Sequence, residues 1–226
     1  VIQSGMVDHV AFTGSVSGGK RIKQSASGQF MDVGLELGGK DPAYVREDAD
    51  LESTVRGIMD GVFYNAGQSC CAVERIYVHE SQFENFIEGA IKFMNKLIIG
   101  DPMKDTTDIG PLSQKSGIET IQKQLKEAKD KGATIINHPG ILPEGDRYIT
   151  PAILTNVDHS MNIMMKETFG PFVGIMMVKS DTEAIELMND SQYGLTASVW
   201  TNDIDSAIEI GDQIEAGTIF MNRCDI

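Results

Sequence analysis

The sequence predicts an α/β fold: an open, largely parallel twisted sheet with flanking helices. Two observations predict it. Strand-length apolar runs alternate with amphipathic helical segments along the chain, and glycine-rich turns separate them. At 226 residues and 41% hydrophobic content, the chain can also bury a large core.

The first elements read strand, loop, helix, strand. Val7–Phe12 is a strand, Thr13–Gly19 a glycine loop, Lys20–Ser27 a helix and Met31–Leu37 a second strand closed by Gly38 and Gly39. Two strands joined by a right-handed crossover should pair in parallel. Asp48 or Asp50 caps the next helix, in which Leu51, Val55, Ile58 and Val62 keep one face apolar. Arg75–His79 is a strand. Ser81 and Glu84 frame a capping box ahead of a helix striped by Phe83, Phe86, Ile87, Ala90, Met94 and Leu97. Gly100-Asp101-Pro102 ends that unit.

A polar helix spans about Ser113 to Lys131 with Ile118, Ile121, Leu125 and Ala128 inward, and its lysines read as a solvated face. Short strands follow at Ala133–Ile136 and Tyr148–Leu154. The alternation then becomes regular: strand Phe172–Val178, helix from the Ser180/Glu183 box to Asn189, strand Leu195–Trp200, helix Asp203–Ala216 and strand Thr218–Asn222.

Composition excludes several function classes. Thirty-three acidic against nineteen basic residues, a net charge of -14, argue against nucleic acid and anionic membranes as partners. No apolar run reaches the length of a membrane span. The three cysteines, Cys70, Cys71 and Cys224, have no framework spacing and suit a reducing compartment, the cytoplasm first, with the mitochondrial matrix left open. The four histidines are scattered and no metal motif is present, so no metal site is expected. The chain opens on Val-Ile-Gln-Ser-Gly, without an initiator Met or a leader pattern, and reads as an excerpt beginning mid-domain.

The stretch Phe63–Arg75 carries the chemistry. Its small-residue break, Ala66-Gly67, precedes Cys70, and glycine permits both a sharp turn and a close approach. A cysteine beyond such a turn can act as a nucleophile once it is a thiolate; taken alone, it reads more often as a small buried hydrophobe. Glu36 ends the second strand, where open α/β sheets place ligand sites, and reads as a general base or as a solvated strand-end carboxylate. The Gly14-x-x-x-Gly18 loop opens a helix and so offers an anion site, but its spacing is that of no standard phosphate loop and fits a plain turn as well.

Taken together, six segments resemble the NAD(P)-dependent aldehyde dehydrogenase family over essentially the whole chain. They are Phe12-Thr13-Gly14-Ser15, Leu35–Lys40, Gly67-Gln68-Ser69-Cys70, Lys166–Pro171 (with Glu167, Phe169 and Gly170), Tyr193-Gly194-Leu195 and Gly217–Asn222. The resemblance implies that Cys70 is the nucleophile and Glu36 the base that activates water. It implies that Glu167 binds the nicotinamide-side ribose, that Phe169 lies near the nicotinamide and that Ser15 meets the pyrophosphate. Gly14, Leu37 and Gly38 complete the implied cofactor-binding set, for NAD or NADP. Residues 1–37 are then a remnant of a Rossmann-like cofactor domain and residues 38–226 the catalytic domain.

The same resemblance implies an aldehyde as substrate and a homodimer or homotetramer as the parent. It also implies that an earlier half is missing, including an oxyanion-hole asparagine for which Asn65 is no equivalent, and that a C-terminal tail is missing too. Loss of one oxyanion donor typically costs ~10²–10³ in rate, so the stretch by itself is expected to be inactive. Two alternatives stand beside this reading. One is a CoA-acylating semialdehyde dehydrogenase, against which Glu36 argues; the other is a non-catalytic binding or structural protein on the same fold.

Overall fold

The computed structural model describes residues 1–225. The chain divides into two compact units, Val1–Gly38 and Gly39–Ile226, one residue past the boundary read from the sequence.

In the first unit, β1 (His9–Thr13) and β2 (Asp32–Glu36) pair in parallel, with His9 opposite Asp32 and Thr13 opposite Glu36. Helix α1 (Val16–Ala26) forms the crossover. It begins four residues earlier than the glycine run suggested, because Ser15 caps it: the Ser15 hydroxyl accepts from the Gly18 N–H at 3.1 Å. Gly18 and Gly19 therefore lie inside the helix, at roughly 1 kcal/mol each relative to alanine. Neighbouring side chains crowd both positions. A methyl group on Gly18 would sit 2.9 Å from the Phe12 ring, and one on Gly19 2.6 Å from Leu37.

The second unit is a seven-stranded sheet of order β5-β6-β7-β4-β3-β8-β9. Its strands are β3 (Asp41–Val45), β4 (Val73–His79), β5 (Thr134–Asn137), β6 (Ala152–Thr155), β7 (Phe172–Val178), β8 (Thr196–Trp200) and β9 (Thr218–Met221). All pairings are parallel except β5 with β6. Between them run α2 (Leu51–Phe63), α3 (Phe83–Met94), α4 (Lys115–Asp130), α5 (Asn162–Met165), α6 (Asp181–Asn189) and α7 (Ile204–Gly211). Ile58 and Val62 of α2 and Phe86, Ala90 and Met94 of α3 are buried as their periodicity required. Full burial of Ile58 or Phe86 contributes roughly 1.5–3 kcal/mol each.

Besides α1, four elements differ from the sequence reading. The interior strand β3 was not expected. It is buried on both faces, so it shows no polar alternation, and Pro42 argues against a strand. The proline is tolerated because the register slips between Asp41 and Pro42. Ser81 does not cap α3: its hydroxyl bonds His79 Nδ1 at 2.8 Å, and the helix starts after Gln82 without a side-chain cap. The strand expected from Tyr148 is confined to Ala152–Thr155, just beyond Pro151, and α7 stops at Gly211. By contrast, Asp50 and Ser180 cap their helices as expected, and Asp203, read as the first helical residue, caps α7 instead.

Candidate functional site

In the first unit the candidate residues gather at the carboxyl ends of β1 and β2. The Gly14 N–H donates to the Glu36 carbonyl at 3.0 Å, closing the loop onto the strand end. A methyl group on Gly14 would lie 2.7 Å from the Phe12 ring, so the loop rests directly on that side chain. Ser15 heads an 11-residue helix, whose free N–H groups and dipole favour an anion. The Glu36 side chain is exposed, and Leu37 and Gly38 are half-buried.

In the second unit the candidate residues lie at the amino ends of neighbouring parallel strands: Cys70 precedes β4, and Glu167 and Phe169 precede β7. Open α/β sheets more often use the carboxyl ends. The thiol loop is a left-handed turn in which Asn65, Ala66 and Gly67 have φ of 50°, 57° and 70°. Two of these are not glycine, at roughly 1–2 kcal/mol each. Reciprocal bonds hold the turn: Asn65 Nδ2 donates to the Gln68 carbonyl at 3.0 Å, and Gln68 Nε2 to the Asn65 carbonyl at 3.1 Å.

The loop is fixed from both sides by backbone. A Cβ on Gly39 would overlap the Cys70 carbonyl, and one on Gly67 the Gly170 carbonyl. The glycines of three separate sequence motifs are thus where these segments touch. Cys70 is half-buried, its Sγ lies 3.6 Å from that of Cys71, and its N–H has no hydrogen-bond partner among the described residues. Burial, with Cys70 alongside, pushes the Cys71 thiol up to about 12; burial pushes Cys224 to about 12 as well.

Glu167 is partly buried, and its Oε1 accepts from the Gly39 N–H at 3.2 Å. Its Oε2 has no protein partner among the described residues, which leaves an acceptor for a ligand hydroxyl. Desolvation, then repulsion from Glu74, raises its pKa above the usual carboxylate value. Phe169 has φ of 52° and keeps 40% of its surface exposed, an apolar face free to stack.

Behind these residues lies a buried polar cluster that the sequence did not reveal. Lys40 Nζ donates to Glu74 Oε2 at 2.5 Å and to Thr168 Oγ1 at 3.1 Å, and the Thr168 hydroxyl donates to Gln124 Oε1 at 2.9 Å. Burial outweighs the Glu74 charge and lowers the Lys40 pKa. Asp41 is buried beside them, with its carboxylate held by the Thr196 N–H at 3.3 Å and the Thr196 hydroxyl at 2.5 Å. Burial nevertheless pushes Asp41 up to about 7. The signals were the charges flanking the motifs, Lys40-Asp41 and Glu74-Arg75; only the fold shows that they are buried. Among the described residues no group of three or more His, Cys, Asp or Glu could hold a metal, and no helix is long and apolar enough to cross a membrane.

The profile of the aldehyde dehydrogenase family matches residues 1–226. The chain belongs to that family. An aldehyde dehydrogenase of Davidiella tassiana is 40% identical over 219 residues, covering 96% of this chain and 44% of the relative. A chloroplastic aminoaldehyde dehydrogenase of Arabidopsis thaliana matches with the same identity and coverage. Among solved structures, the Staphylococcus aureus betaine aldehyde dehydrogenase in complex with NAD+ superposes with a TM-score of 0.93 at 34% identity, covering 100% of this chain and 46% of that one. The NADP-dependent glyceraldehyde-3-phosphate dehydrogenase of Bacillus halodurans, complexed with NADP, gives 0.92 at 36% identity, with the same coverages. This aldehyde dehydrogenase chain thus spans a little under half the length of the relatives it matches.

Proposed function

We propose that the protein containing this chain oxidises an aldehyde to a carboxylic acid with NAD+ or NADP+, through a covalent intermediate on Cys70. The observation that carries the reading is the thiol loop, fixed by backbone contact to Gly39 and Gly170, with Glu167 and Phe169 on the same cluster of loops. The Cys70 thiolate adds to the aldehyde carbon, and the unpartnered Cys70 N–H is a donor for the oxyanion that forms. The bound dinucleotide supplies the hydride acceptor. When the carbonyl re-forms, the acyl group is left on Cys70 as a thioester. Glu36 takes a proton from water, hydroxide attacks the thioester, and the Cys70 thiolate leaves with release of the acid.

For the dinucleotide, the free Glu167 Oε2 suits a ribose hydroxyl and the exposed Phe169 ring suits the nicotinamide face. The start of α1, with Gly14 and Ser15, suits the pyrophosphate, and Leu37 and Gly38 complete the set. Residues 1–37 are read as cofactor-binding and residues 38–226 as catalytic. The same reading carries a small-molecule aldehyde as substrate, a homodimer or homotetramer, and a reducing compartment such as the cytoplasm. The 226 residues alone are proposed to be inactive, since they match under half of each relative.

The test uses the full-length protein in stopped flow. Cys70→Ala should abolish formation of NAD(P)H. Glu36→Gln should keep a first-turnover burst and slow steady-state turnover by ~10²–10⁴, with acyl-enzyme trapped on Cys70. A Glu36→Gln variant with unchanged turnover refutes the base assignment, and an active Cys70→Ala refutes the covalent route.

A further inference from the structure

The loop between α5 and β7 carries Glu167 and Phe169, yet residues 166–171 belong to no helix or strand. Backbone bonds hold its two ends, at Lys166 and at Gly170 and Pro171, and side chains bond the backbone between them. One side chain, Glu74, takes two of the loop's N–H groups, and the Tyr193 hydroxyl accepts from the Glu167 N–H at 3.4 Å. Glu74 Oε1 accepts from the Phe169 N–H at 2.8 Å and the Thr168 N–H at 3.1 Å, while Oε2 accepts from the Thr168 N–H at 2.8 Å. Two successive backbone N–H groups thus converge on one carboxylate, as they do around bound anions. Gln124 adds a bond from Nε2 to the Glu167 carbonyl at 3.1 Å.

Glu74 is the second residue of β4, four positions after Cys70. Its other partner is Lys40, one residue after the Gly39 that bonds Glu167 and touches Cys70. A single buried ion pair therefore joins the strand that follows the thiol to both loops that hold Glu167. The carboxylate is 2% exposed and ends inside the protein, so it is not itself available to substrate.

We infer that Glu74 is a positioning residue for dinucleotide binding, holding Glu167 and Phe169 in register with the Cys70 loop. This rests on the function proposed above. Without the carboxylate, the Thr168 and Phe169 N–H groups lose their shared acceptor and Phe169 loses the bond that opposes its left-handed backbone. The Cys70 turn keeps its own hydrogen bonds, the reciprocal pair between Asn65 and Gln68 and the Ser113 N–H that donates to Gln68 Oε1. Dinucleotide affinity should then fall while thiol reactivity does not.

The experiment compares full-length wild type with Glu74→Ala and Glu74→Gln, by calorimetric titration with NAD+ and NADP+, by the KM for dinucleotide against that for aldehyde, and by the rate of Cys70 alkylation without dinucleotide. Glu74→Ala should weaken dinucleotide binding by about tenfold or more, the scale of a lost buried hydrogen-bond partner. Cys70 alkylation should stay within about twofold, because the bonds of its turn are untouched. Glu74→Gln keeps one oxygen for both N–H groups and should fall between the two. If Glu74→Ala does not fold, the paired Lys40→Met and Glu74→Met protein, which leaves no lone buried charge, and Glu74→Gln carry the same comparison. Unchanged dinucleotide affinity in the folded variants overturns the assignment, as does a parallel loss of affinity and alkylation rate. A wild type that binds neither dinucleotide sinks the functional reading, and the positioning role with it.

Discussion

Asp41 offers a direct test of how the buried cluster is charged. It opens the interior strand β3 with its carboxylate between two groups of Thr196, and burial pushes it up to about 7 from an ordinary 3.8. The folded state therefore binds this proton more tightly than the unfolded state does. Its stabilising contribution is complete below pH ~4, the unfolded value, and is lost as pH rises through about 7. A shift of about 3 units at 1.36 kcal/mol each corresponds to about 4 kcal/mol, an upper bound because the site relaxes. Asp41→Asn mimics the protonated acid: its oxygen accepts from the Thr196 N–H and its amide donates to the Thr196 hydroxyl. At roughly 2–4 °C per kcal/mol for a domain of this size, the variant should match wild type near pH 4. By pH 8 it should exceed wild type by up to about 8–16 °C in Tm. The assay is differential scanning fluorimetry of both proteins from pH 4 to 8, read as the difference between them so that other titrating groups cancel. A flat difference, or a wild type that gains on the variant as pH rises, refutes the claim that desolvation of Asp41 outweighs its bonds to Thr196 and the charge of Arg75.

Two further expectations concern the site. Iodoacetamide at pH 8, followed by peptide mass spectrometry, should modify Cys70 well before Cys71 and Cys224, whose thiols burial pushes up to about 12; equal labelling of the three contradicts the ordered loop. Because the Glu167 pKa is raised, acidification should protonate it above the usual carboxylate range and remove an ionised acceptor. The dinucleotide KM should rise as pH falls through that range and lose this dependence in Glu167→Gln, and an identical pH profile for the two proteins argues against contact between Glu167 and the dinucleotide.

What the sequence determined by itself is what local chemistry determines. Alternating strand and helix segments specified an α/β chain, and Val55, Ile58 and Val62 faced the core because helical spacing left them no other partner. Asp50, Ser180 and Asp203 cap helices because an oxygen there meets the first free N–H groups whatever the rest of the fold does. Cys70, Glu36 and Glu167 stood out because their motifs are short and contiguous.

Tertiary structure decided the rest. Strand β3 exists because β4 and β8 flank it, and they outweigh the prohibition that Pro42 carries. Ser81 looked like a cap but found His79 instead. Gly39 read as closing a strand, Gly67 as a turn or a close approach, and Gly170 only as part of its motif; their meeting at the Cys70 loop shows that all three are contact points where no side chain fits. Nothing in the sequence set Lys40, Asp41 and Glu74 apart as buried charges. Their burial depends on residues more than thirty positions away, and a charge can be kept from water only when distant segments bring the partners that replace it.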